Sequence, residues 1–180
     1  MNRLGEQVIK ENWKLQRVTP AEFGSCMALQ EEVLAGIEDN EEKNIFQPLT
    51  REEMSRAIEQ GDAIGLYEEH RLIAQMNLLM HPTEEENITL DLEKDGKYEG
   101  AVVLDWILVH PEKRGQGIQR LLLSVAEEIC KEQGRPGICA VTSPLNTHSL
   151  QNFLAQGYEL TATKPKYRSV RHYLWKDLRV

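Results

Sequence analysis

Val102–Gln133, VVLDWILVHPEKRGQGIQRLLLSVAEEICKEQ, holds the strongest structural signals in the chain. It opens on Val102, Val103, Leu104, Trp106, Ile107, Leu108 and Val109. This apolar, partly β-branched run is too short for a membrane span and suits a buried strand. His110-Pro111 ends the strand, because Pro111 has no N–H to give a ladder. Arg114-Gly115-Gln116-Gly117-Ile118-Gln119 follows, and then Leu121, Leu122, Val125, Ala126 and Ile129 recur at helical spacing. Strand, glycine-rich loop and helix N-terminus therefore stand in sequence. Unpaired N–H groups and the positive end of the helix dipole make such a junction a phosphate site. The bland reading is an ordinary strand–helix connection with two glycines.

The known phosphate loops narrow the ligand. A dinucleotide fingerprint counted from Gly115 needs its third glycine where Arg120 stands, and no G-x-x-x-x-G-K-[ST] string occurs. The chain has 180 residues, the size of one domain with a sizeable core. A formal charge of −8 argues against a nucleic-acid binder that relies on a basic field. Cys26, Cys130 and Cys139 are odd in number and lack C-x-x-C spacing, so neither a disulfide framework nor a metal site is expected. The N-terminal MNRLGEQVIKENWK has no apolar signal region, and nowhere is there an apolar run of membrane length. The expectation is a soluble, cytoplasmic protein with no membrane partner.

In chain order, Lys14–Thr19 reads as a first strand and Pro20 to about Gly36 as a helix. Ile37–Leu49 reads as an irregular connection. Thr50-Arg51-Glu52-Glu53 is a capping box that starts a second helix, stopped by Gly61. Ala63–Tyr67 and Leu72–Met80 form a hairpin about Glu68-Glu69-His70-Arg71. Within His81–Gly100, Ile88, Leu90 and Leu92 alternate, compatible with a hairpin extension or a loop. The run Glu84-Glu85-Glu86 is a solvated face or a lip that attracts amines. Ile138–Thr142 is another buried strand, Asn146 caps a helix that ends at Gly157, and Tyr158–Thr163 pairs with Ser169–Trp175. The order β-α-α-β-β-β-α-β-α-β-β is an α/β arrangement around one sheet.

Two blocks carry a resemblance. Arg114 and Gly117 match the R-x-x-G-x-G/A loop of the GNAT superfamily of acyl-CoA-dependent N-acetyltransferases, with Gln119 in the last position. Asn146, Ser149, Phe153, Gly157 and Tyr158 fall in register with that family's Asn-x-x-Ala-x-x-x-Tyr-Glu-Lys-x-Gly-Phe block. The spacing between blocks and the element order over nearly the whole chain also suit the family. The resemblance implies one GNAT-like domain over residues 1–180, with a mixed, twisted sheet of about seven strands flanked by helices. Its fourth and fifth strands would splay to admit the pantetheine arm of acetyl-CoA. Acetyl-CoA is then the cosubstrate and no metal is needed.

The same resemblance places the cofactor against named residues. N–H groups of Gly115, Gln116, Gly117, Ile118 and Gln119 would cradle the pyrophosphate, with Arg114 and Arg120 adding charge. Backbone groups of Ile107, Leu108 and Val109 would pair with the pantetheine amides, and an N–H at Leu108 or Val109 would stabilise the oxyanion. Asn146 would contact the cofactor arm, cap its helix, or both.

Acetyl transfer to an amine raises two proton questions. An ammonium with a pKa near that of lysine, about 10.4, cannot attack until a base takes its proton. Asp105 is the one ionisable residue inside the central apolar strand, where burial raises a carboxyl pKa; the competing reading is a structural carboxylate. His110 and His148 are weaker candidates. Many family members protonate the leaving thiolate with a tyrosine where this chain has Phe153. Ser149, Tyr158 or water would then serve, or the thiolate leaves unassisted, while Phe153 packs beside the cofactor or in the core. Three functions stay open: acetylation of a small-molecule amine, acetylation of a protein or peptide amine, and acyl-CoA binding without catalysis. Family members are often dimers, so the resemblance is compatible with a homodimer and leaves the oligomeric state open.

Overall fold

The structure, a computed structural model, describes residues 7–10, 12–37, 45–92 and 96–179. Most of the connection expected over Ile37–Leu49 lies outside the described residues, as do residues 93–95. The strands are β1 (Gln7–Lys10), β2 (Trp13–Arg17), β3 (Ala63–Glu68), β4 (Arg71–Leu79), β5 (Val102–Val109), β6 (Gly137–Thr142), β7 (Glu159–Lys166) and β8 (Ser169–Asp177). The helices are α1 (Phe23–Ala35), α2 (Arg51–Gln60), α3 (Ile118–Glu132) and α4 (Thr147–Ala155). All eight strands form one mixed sheet in the order β1-β2-β3-β4-β5-β6-β8-β7, antiparallel except where β5 runs parallel to β6. The expected α/β, GNAT-like architecture is present with eight strands instead of about seven. The additional strand is β1, a four-residue edge strand paired only with β2.

β5 is apolar throughout because both of its faces are covered. Trp106 and Leu108 pack with Cys26, Leu29 and Val33 of α1 and with Met54 and Ile58 of α2. Val102 and Leu104, with the half-buried Ile107 and Val109, pack against Leu122, Ala126 and Ile129 of α3. The two helix pairs therefore lie on opposite faces of the sheet, and each face buries its own apolar cluster.

Local chemistry sets the helix ends. The Thr50 hydroxyl accepts from the Glu53 N–H at 3.2 Å, while the Glu53 carboxylate accepts from the Thr50 N–H at 2.8 Å. Gly61 ends α2 in the left-handed region, φ +76°. The first residues of the expected first helix, Pro20–Glu22, form a 3-10 turn, and α1 proper begins at Phe23. Within His81–Gly100 the alternating Ile88, Leu90 and Leu92 are not a strand: Ile88–Leu92 is a 3-10 helix. Asn87 diverts the backbone there, its Oδ1 accepting from the Thr89 N–H and hydroxyl. Asp91 then ties the segment to the far hairpin, accepting from Lys166 Nζ and the Tyr173 hydroxyl, each at 2.7 Å. Among the described residues no helix is long and apolar enough to cross a membrane.

Two irregularities interrupt the pairing of β5. Its ladder with β4 runs Asn77↔Trp106 and then Leu78↔Leu104, so Asp105 is an extra, bulged residue. A bulge bends its strand and re-aims a side chain. The ladder with β6 holds for Val102↔Ile138, Val103↔Cys139 and Leu104↔Ala140 and stops there, although both strands continue.

Candidate active site

Beyond the last β5–β6 pair the two strands leave one edge each without a neighbour, and a cavity of about 1090 Å³ opens at that place. It passes from the N-terminus of α3 through the gap to the face of the sheet carrying α2. Asp105, Ile107, Leu108, Val109, Arg114, Gly115, Gly117, Ile118, Gln119, Arg120, Asn146 and Phe153 all line it. Gln116 does not, because its exposed side chain stands outside on the tip of the loop, so only its N–H remains a candidate contact.

The loop is built from its first residue onward. His110 Nδ1 accepts from the Glu112 N–H at 3.2 Å and caps the 3-10 turn Pro111–Lys113. Its Nε2 lies 2.8 Å from Glu32 and 2.7 Å from Arg71. His110 is thus buried and occupied on both nitrogens, a structural histidine. Gly115 and Gly117 follow at φ +76° and +77°, conformations that strain any L side chain. The first bond of α3 is Leu121 N–H to the Gly117 carbonyl at 3.0 Å. Among the described residues, no protein acceptor meets the N–H groups from Gly115 to Arg120. A row of bare donors at a helix N-terminus is the arrangement a diphosphate fits.

Gln119, at the position that departs from the family motif, uses its side chain elsewhere. Its Nε2 donates to Ser149 Oγ at 2.9 Å, and its Oε1 accepts from Asn152 Nδ2 at 2.8 Å, joining the start of α3 to α4. Asn146 caps α4 by accepting from the Ser149 N–H at 3.1 Å while lining the cavity. Phe153 is 4% exposed and meets Tyr158 edge-on at 5.0 Å, so it belongs to both the core and the cavity wall. The Tyr158 hydroxyl is buried away from the cavity, without a partner among the described residues. The exposed His148 stands on the rim.

Strand alternation orients the free edge of β5. The His110 N–H bonds back to Ile73 at the end of β4, at 2.9 Å. N–H groups alternate sides along an extended chain, so those of Ile107 and Val109 turn toward the gap and that of Leu108 toward β4. Of the two oxyanion donors expected from the sequence, Val109 is the one the alternation favours.

On the α2 side the cavity is acidic. Asp105 lines it, partly exposed, and its remaining surface is enclosed. Burial first, and then the nearby charges of Glu53 and Glu86, push its carboxyl up to about 7, against an opposing pull from Arg56. Glu86 is half-buried and ion-paired with Arg56. The Glu84–Glu86 run thus divides: Glu84 and Glu85 are exposed, Glu85 at the cavity edge, and the half-buried Glu86 is on its wall. Tyr167 and the buried Arg171 complete this wall. Neither stood out in the sequence, since they lie on a hairpin that reads as an ordinary strand pair. Cys26, Cys130 and Cys139 are buried and free, and burial pushes each thiol up to about 12. No metal-binding cluster of His, Cys, Asp and Glu occurs among the described residues.

Comparison with known proteins agrees with this geometry. The family profile described as Acetyltransferase (GNAT) domain matches residues 14–143. A GNAT-family acetyltransferase from Listeria monocytogenes superposes with a TM-score of 0.76 at 16% identity, covering 97% of this chain and 100% of its own. A putative acetyltransferase from Salmonella typhimurium, solved with its cofactor acetyl-CoA, superposes at 0.65 and 14% identity, covering 93% and 95%. The PaiA N-acetyltransferase from Thermoplasma acidophilum, in complex with coenzyme A, gives 0.67 and 14%, covering 92% and 98%. No curated protein sequence matches the chain.

Proposed function

Because the chain belongs to the GNAT acetyltransferase family, we propose that it moves the acetyl group of acetyl-CoA to the nitrogen of a primary amine on a small-molecule metabolite. The observation that carries this reading is one cavity joining a row of bare main-chain donors to a carboxylate poised near neutrality.

Bound acetyl-CoA supplies an acetyl group activated as a thioester. The N–H groups from Gly115 to Arg120 receive the pyrophosphate, with Arg114 and Arg120 at the mouth. The open edge of β5 at Ile107–Val109 takes the pantetheine amides as an added strand, and Asn146 faces it across the gap. The Val109 N–H stabilises charge that develops on the carbonyl oxygen during attack. Glu53, Glu86 and Asp105 draw in the ammonium, and Asp105 removes its proton, directly or through water. A carboxyl near 7 is half ionised at neutral pH and therefore suited to that step. Phe153 has no proton to give the leaving thiolate. A thiol of ordinary pKa, about 8.5, leaves as its anion without an acid.

Free-thiol release from acetyl-CoA over a panel of amines tests the proposal. Saturable, amine-dependent release with equimolar N-acetyl product is the expected result. Tight acetyl-CoA binding with no turnover on any amine would instead support a non-catalytic acyl-CoA module, a reading favoured by the missing hydroxyl at Phe153.

A further inference from the structure

Arg171 is a residue of the cavity wall whose chemistry acetyl transfer leaves unused. It sits on β8, 3% exposed, and Nη1 donates to its neighbour Val170's carbonyl at 3.0 Å. A guanidinium has five N–H donors in a fork that matches a carboxylate. That backbone contact is its only hydrogen bond among the described residues, which also offer it no carboxylate ion pair. Among the described residues, the ionisable group acting on it is the phenol of Tyr167. A buried cation that uses one arm of its fork and lines a cavity is placed to receive an anion from outside.

The fold says which ligand brings that anion. Alternation along β8 puts Arg171 on the side of Tyr173 and Trp175, which pack with Leu79 and Val103, whereas Leu174 faces the cluster under α3. Arg171 therefore lies on the α2 side with Asp105, across the sheet from the bare N–H groups where phosphates bind. The pantetheine arm is uncharged, so the anion belongs to the acceptor.

We propose that the acceptor is an amino acid, whose carboxylate Arg171 receives while its amino group faces Asp105. This rests on the acetyl-transfer reading and narrows its acceptor. The cavity wall carries both charges such a ligand needs: the mutually interacting Glu53, Glu86 and Asp105, and the cation of Arg171. Tyr167 lines the cavity with both, and the charges of Asp105 and Arg171 each act on its phenol. Its position is enforced, because Tyr167 and Arg168 form the two-residue β7–β8 turn at φ +51° and +59° without a glycine. A polyamine fits poorly, since its second cation would meet Arg171.

The experiment compares each amino acid with its own amide, and with putrescine and spermidine, as acceptors in the thiol-release assay. In the wild type the acid should exceed its amide in kcat/KM by on the order of 10- to 100-fold, the worth of one charge-assisted bond. In Arg171→Met that ratio should fall to near one through the KM of the acid, with acetyl-CoA affinity retained, and Arg171→Lys should restore part of it. Should Arg171→Met not fold, the wild-type ratio decides alone. Amides or polyamines that react as well as the acids would overturn the carboxylate site while leaving amine acetylation intact. Loss of acetyl-CoA affinity in Arg171→Met would overturn it too, by assigning Arg171 to the cosubstrate. Absence of turnover on every amine would remove both readings together.

Discussion

Asp105→Asn should change turnover and stability in opposite directions, and both effects stem from one displaced titration. Burial holds the folded carboxyl at about 7, whereas an unfolded aspartate titrates at about 3.9. Between those values the folded protein keeps a proton that the unfolded chain has released. Stability therefore falls as pH rises through that window and reaches its lower level above about 7. A displacement of about 3 units corresponds to about 4 kcal/mol at most. Asp105 opens onto the cavity, where water relieves part of the penalty, so about 2 kcal/mol is the expected cost at pH 8. Asparagine carries no charge and escapes it. Melting curves should then show Asp105→Asn above wild type by about 4–8 °C at pH 8, with the two nearly equal at pH 4.5. Glu53, Glu86, Arg56 and Tyr167 are present in both proteins, so the difference isolates Asp105. In the thiol-release assay wild-type kcat/KM should fall about tenfold per unit below pH 7, and the variant should lose on the order of 100-fold or more at neutral pH. A melting difference that ignores pH would refute the burial argument. A wild-type rate profile with no titration near 7 would remove Asp105 as the base.

Gly117→Glu places a carboxylate among the bare donors at φ +77°, where an added Cβ meets nothing closer than Arg120 at 4.0 Å. Calorimetry should show acetyl-CoA affinity lost, with about 1–2 kcal/mol of stability lost to backbone strain; unchanged affinity would refute the loop assignment. Gln119→Ala removes both hydrogen bonds from the start of α3 to Ser149 and Asn152 of α4. It should cost about 1–2 kcal/mol in urea unfolding, and Gln119→Glu should restore much of it, since a carboxylate can accept from both the Ser149 hydroxyl and Asn152 Nδ2. Gly137→Ala drives a Cβ into the Lys176 carbonyl oxygen and the Trp175 ring. The backbone oxygen cannot step aside, so a loss of about 3 kcal/mol is expected in the same unfolding experiment.

The donor half of the site was legible because one contiguous stretch builds it. From Val102 to Gln133 the apolar run, Pro111, the two glycines and the period of α3 each report a local constraint, and together they place a strand, a loop and a helix end in space. The capping box at Thr50 and the stops at Gly61 and Gly157 were readable for the same reason. β1 escaped because it is a four-residue edge strand whose pairing with β2 is a relation between two segments, not a local pattern. The bulge at Asp105 is likewise a relation between two strands, visible only once Asn77 is seen opposite Trp106 and Leu78 opposite Leu104. The acceptor half combines all of these difficulties. Glu53 belongs to a helix cap, Glu86 to a charge run that reads as solvated, and Arg171 to a strand of a hairpin. Each has a complete local explanation, and none has a spacing that points to another. Only the fold brings them to the wall of one cavity. On the proposed reading, acceptor specificity is accordingly a property of distant elements brought together. Substitutions at Arg171 or Tyr167 should retune the acceptor while Arg114–Arg120 keeps its hold on the donor.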